Sequence, residues 1–308
     1  MNSYSNILKH AYHLTKSKPV LWLLGMFVIG SFNLNFLNVR GFLPKFHLAE
    51  FSIPAVFWYF ERHPAGLAVI SLLVLVFALA SLVLTNWSRV MLLLVVKSVM
   101  DKKYFGFAVE AKKSRFFLWP VIQVSVITSA FMLAAVLVLI APVLVEDPLS
   151  QSVLWVLGAV IFLFLLFAVS SLNIFTTMFI VVLKIPLKNA LNSATDFFVA
   201  NWTDFLGLTA VLLAIYLVGF ALGTGFLGLI RLSARIIIDS LPNAGFLQFS
   251  PLFTIIKALG AVLLWIVLGI LNAFINTALL LFFLQKITPV KFEEKQEASQ
   301  VVPSLSVP

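Results

Sequence analysis

The sequence predicts an all-α, polytopic membrane protein: six transmembrane helices, interfacial amphipathic helices, and a three-fold helix-hairpin repeat. Three observations lead there. The 308 residues are 62% hydrophobic and only 11% charged, whereas soluble domains carry about 25% charged residues. The apolar residues fall in unbroken runs, each of a length that crosses a ~30 Å hydrocarbon core. The basic residues cluster beside those runs rather than within them, the arrangement that the positive-inside bias produces.

The elements follow in order. Residues 4–18 carry Ile7, Leu8, Ala11, Tyr12 and Leu14 on one helical face, with Lys9, His10, His13 and Lys16 largely on the other. Such a helix lies in the headgroup plane. Pro19 suits the start of a helix, and the first span covers about 19–38. A basic lead before an apolar run resembles a signal peptide, but no small-x-small cleavage site follows, so a retained span is expected. Residues 39–64 form an outer connection in which IPAVFWYFERHP is too short to span and too aromatic for water.

The second span covers 65–85. Trp87 and Arg89 mark its cytoplasmic exit, beyond which an amphipathic extension runs towards Met100. The stretch from Arg89 to Trp119 holds seven of the 21 lysines and arginines, so it should stay cytoplasmic and orient the rest. The third span covers 120–145, and Glu146, Asp147 and Pro148 make a short acidic outer turn. The fourth, 153–183, is ~45 Å long as a helix and must tilt or protrude. Residues 187–200 read as a second amphipathic helix, with Ala190, Ala194 and Phe197 on its apolar face. The fifth span, 205–230, is glycine-rich, and the sixth covers 258–284. Residues 1–286 thus form one membrane domain, and 287–308 a polar, disordered cytoplasmic tail.

Both termini are then cytoplasmic, in a plasma membrane. That topology places 15 of the 21 basic residues inside and 6 outside. The formal net charge of +9 follows from topology and contact with anionic headgroups, not from binding nucleic acid. Cysteine is absent, which removes thiolate chemistry, disulfides and Cys-based metal sites. No cofactor is expected. The expected partners are membrane lipids, with a second copy of the chain or another membrane protein as the other candidates.

Three stretches superpose without gaps: Ile7 to Trp22, Tyr104 to Trp119, and Ala190 to Phe205. Ala11, Ala108 and Ala194 coincide, then Lys18, Arg115 and Asn201, then Trp22, Trp119 and Phe205. Each leads into an apolar hairpin, which suggests a repeated unit of interfacial helix, span, outer loop and span. Any amphipathic helix leading into a membrane reproduces part of this pattern.

The lead KSKPVLWLLGMF, the basic segment after the second span, and PLKNALNSATDFFVANWTDF before the fifth carry a family resemblance. They resemble six-span bacterial proteins related to the membrane domain of some glycerophosphodiester phosphodiesterases, including stand-alone members without a catalytic domain. The resemblance implies a six-span architecture in a bacterial cytoplasmic membrane. It transfers no activity, because the enzyme's catalytic barrel and its acidic and histidine residues are absent from this sequence.

The polar residues divide into three groups. Asn173 and Thr177 in the fourth span, with Asn272 and Asn276 in the sixth, are candidates for an intramembrane polar stripe. They either line a path for a substrate or hydrogen-bond between helices, and the second reading is favoured because no ionisable residue sits mid-span. Gly219 and Gly223 form a GxxxG pattern for close helix packing or, in a sharper reading, a broken substrate-binding helix. Lys102, Lys103, Lys112, Lys113 and Arg115 are candidates for contact with lipid headgroups. His10 and His13 share a spacing of three, and solvated interfacial histidines are expected there rather than a zinc site. No catalytic, cofactor or metal motif is found. The sequence therefore predicts a non-enzymatic protein that organises lipid or partner proteins at the cytoplasmic face, with a transporter or lipid-handling channel for an uncharged or amphipathic substrate as the alternative.

Overall fold

A computed structural model describes residues 2–28, 64–101, 106–140, 147–239 and 251–300. Among these residues all regular structure is α-helical: α1 (Asn2–Ser17), α2 (Val20–Val28), α3 (Pro64–Met100), α4 (Phe107–Ile140), α5 (Pro148–Leu183), α6 (Leu187–Asp239) and α7 (Pro251–Gln300). Five helices, α3 to α7, contain stretches long and apolar enough to cross a membrane: Ser71–Met100, Phe107–Leu137, Leu149–Leu183, Leu187–Leu229 and Ala258–Ile287. Five such helices in one chain fit a membrane-embedded, multi-pass protein. The expected first span begins in α2, and its residues 29–38 lie outside those described.

The surface agrees with a hydrocarbon solvent. On α3 the consecutive residues Leu72 to Val76 are each 55–63% exposed, so apolar side chains point outward on every face of the helix. In water such a surface would associate. In lipid it needs no cover, because acyl chains are as apolar as leucine.

The residues group into two compact units. The first comprises Met1–Pro19, Leu92–Leu212 and Phe274–Pro308. Its core is built from helix segments buried on nearly all sides: Leu92 to Val96, Phe175 to Val182, and Thr277 to Leu280 together with Phe282 and Phe283.

Phenylalanine dominates this core. Phe175 lies 4.8 Å from both Phe197 and Phe205, and Phe283 lies 5.0 Å from Phe179 and 5.3 Å from Phe197, mostly edge-to-face or tilted. The quadrupoles of the rings favour such geometries. α6 reaches the cluster with both Phe197 and Phe205 because it kinks at Asn201, where φ is −124° and ψ is 15°. The Asn201 side-chain amide donates to the Phe197 carbonyl at 3.0 Å, so a carbonyl at the kink keeps a partner. α5 ends at Lys184 in the left-handed region, φ 59°, with its N–H turned back to the Phe179 carbonyl.

The second unit comprises Val20–Met91 and Leu213–Ala273. Here α2 crosses α7 at two glycines. A Cβ on Gly25 would stand 2.0 Å from the Gly269 carbonyl oxygen, and one on Gly269 would stand 2.8 Å from the Trp22 carbonyl oxygen. Backbone meets backbone. The crossing is bonded as well as packed: the Trp265 indole N–H donates to the Met26 carbonyl at 3.1 Å, and the Asn272 amide donates to the Gly25 carbonyl at 3.3 Å.

Three expectations need revision. The helix does run on past Trp87 to Met100, but the stretch is not amphipathic: Val90 to Val96 are each no more than 8% exposed. Its VMLLLVV sequence is apolar on every face, and such a helix belongs inside. The amphipathic stretch before the third span is not a separate helix but continues into α4, whereas that before the fifth is set off from its span within α6 by a kink at Asn201. The gapless superposition also misplaces the middle stretch. Ala11 and Ala194 are fully buried, whereas Ala108 is exposed and Glu110 and Ser114 take the inward positions. At the other end of the chain, α7 runs on as a helix to Gln300, beyond the expected end of the sixth span, past Pro289 and through KFEEKQEA, most of whose residues are good helix formers.

Candidate functional site

The basic ends of the helices in the first unit carry its polar chemistry. α4 is the best-defined part, because its two faces differ sharply. Glu110, Ser114, Val121 and Val124 are buried. Lys112, Arg115, Phe116 and Trp119, at spacings of three, four and seven, are exposed, Phe116 by 78% and Trp119 by 66%.

Glu110 anchors the inner face. Its carboxylate accepts from the Ser98 hydroxyl of α3 at 3.0 Å and from the Lys113 ammonium at 2.8 Å. The Lys113 side chain is 53% exposed and that of Glu110 only 3%. The pair is therefore half in solvent, while the bond to Ser98 is enclosed. Glu110→Ala is expected to destabilise the protein by about 2 kcal/mol, since it strips a buried hydroxyl of its acceptor. Lys113→Ala should cost under ~1 kcal/mol, as partly exposed ion pairs do. Thermal unfolding in one detergent compares them, and equal losses would sink this division of labour.

Two further contacts join helix ends. Tyr4 of α1 donates to the Asp204 backbone carbonyl at 3.0 Å, and Lys286 of α7 pairs with the Asp204 carboxylate at 2.5 Å. Burial, and next the charge of Asp204, raise the Tyr4 hydroxyl above the ordinary tyrosine range. Lys97 of α3 donates to the Val182 carbonyl near the C-terminus of α5, where a cation suits the helix dipole.

The expected site residues divide as follows. Lys112, Lys113 and Arg115 are exposed on α4, and Lys102 and Lys103 lie outside the described residues. Asn173 donates to the Thr128 hydroxyl of α4 at 2.6 Å, and Thr177 donates to the Asn173 carbonyl at 2.8 Å. Asn272 serves the α2 crossing, and Asn276 is half-buried one turn further along α7. The stripe is thus shared between different helix partners. Gly219 and Gly223 face side chains of α7, at 2.7 Å from Leu271 and 3.0 Å from Leu264 for a built Cβ. Among the described residues no group of three His, Asp or Glu side chains is placed to hold a metal.

Sequence reasoning missed Glu110, Ser98, Tyr4 and Asp204. Glu110 left a faint signal as an acid in a basic segment, four residues before Ser114 on one face. Tyr4 and Asp204 are 200 residues apart and left none. Comparison with family models, curated proteins and solved structures finds no match for this chain.

Proposed function

We propose that this chain is a non-enzymatic integral membrane protein that organises lipid or partner proteins at the cytoplasmic face. The observation that carries the reading is the pairing of cations with large exposed rings on α4, beside intramembrane amides engaged in bonds between helices. Cations meet lipid phosphates, and tryptophan favours the headgroup level. The lysines and arginines around these ends support a cytoplasmic location for them. The five long apolar helices are also compatible with kinship to the membrane domain of glycerophosphodiester phosphodiesterases.

Native mass spectrometry of the protein released from lipid nanodiscs tests the role. Retained phospholipid or a co-purified protein supports it. A defined non-lipid molecule held stoichiometrically would overturn it in favour of transport. In that case Asn272→Leu with Asn276→Leu should abolish uptake into liposomes.

A further inference from the structure

We propose that the outer stripe of α4 (Lys112, Arg115, Phe116 and Trp119) is a binding site for anionic phospholipid. The proposal rests on the lipid-organising reading above and names its ligand class and residues. The candidate span of α4, Phe107–Leu137, has 31 residues, or about 46 Å of helix. A hydrocarbon core takes up ~30 Å of this, and the charged residues put the excess at the Phe107 end. Lys112 and Arg115 therefore stand at headgroup depth, with Phe116 and Trp119 up to about a turn deeper, at the glycerol and upper acyl level.

The charge on this face is not cancelled by Glu110. That carboxylate is turned inward to Ser98, and the cation it meets is Lys113. Lys112 and Arg115 remain exposed on the outer face, complementary to a phospholipid whose headgroup carries a net negative charge. Burial of Glu110 and Ser114 holds the opposite face inward, so the rotation of α4 is set and the stripe stays outward.

The test uses the full chain in nanodiscs of mixed phosphatidylglycerol and phosphatidylcholine, counting retained lipids by native mass spectrometry. The wild type should retain phosphatidylglycerol preferentially. Lys112→Gln and Arg115→Gln should each lower that preference about five-fold, and Phe116→Ala with Trp119→Ala should lower retention of both lipids. Lys113→Gln serves as a control of equal charge loss and should leave the preference largely intact. No preference in the wild type would overturn the proposal, as would a preference untouched by the Lys112 and Arg115 variants or lost equally with Lys113→Gln. Bulk lipid or a bound protein partner would still sustain the organising role in those cases, whereas a stoichiometric non-lipid ligand would remove that role itself.

Discussion

A single methyl group at Gly25 or Gly269 is expected to destabilise the protein by about 3 kcal/mol, as overpacking between rigid groups does. The built Cβ at Gly25 meets a carbonyl oxygen at 2.0 Å and the Ala273 backbone nitrogen at 2.8 Å, so no side-chain rotation relieves it. The helices must separate, and the Asn272 and Trp265 bonds to α2 lengthen with them. Gly219→Ala should cost less, because the Leu271 methyl it meets can move. Gly225→Ala and Gly228→Ala meet nothing within 4 Å and should be neutral or stabilising by up to about 1 kcal/mol, the helix propensity gained. Unfolding midpoints of these variants in one detergent check the order. Equal effects at Gly25 and Gly225 would show that the α2–α7 crossing is not tight.

Phe175→Ala is expected to cost about 3 kcal/mol. Phe175 is fully buried and contacts Phe197 and Phe205 at 4.8 Å each, so truncation leaves a cavity between α5 and both sides of the α6 kink. In a membrane protein the loss is chiefly of packing, since the lipid-exposed reference state is also apolar. Phe164→Ala supplies the contrast. Phe164 is 68% exposed, and its removal should change stability by under about 0.5 kcal/mol. Comparable losses at the two positions would count against the phenylalanine core.

Much of the fold is legible in the sequence because lipid imposes a coarse rule on it. A run such as Val153 to Leu183 must be helical where water cannot satisfy its backbone, and α5 ends at Leu183. Asp147 and Pro148 read as a turn before a helix, and Asp147 caps α5 by accepting from the Ser150 N–H at 2.8 Å. The VMLLLVV stretch is harder to place. Hydropathy does not distinguish a helix surrounded by protein from one surrounded by lipid, since both favour apolar side chains. The candidate site is legible only in part: Lys112 and Arg115 stand out as charges beside a span, but which face of α4 they share depends on where Glu110 finds its partner.

By itself, then, the sequence determined the helical class, the presence of several long apolar helices and where positive charge clusters along the chain, because these depend on local composition and length. Only the tertiary structure decided which glycines meet backbone to backbone, that Glu110 turns inward to Ser98, and that Asp204 links Tyr4 to Lys286. Each of those depends on groups from different helices meeting at distances of a few ångströms, and no local pattern encodes such a meeting.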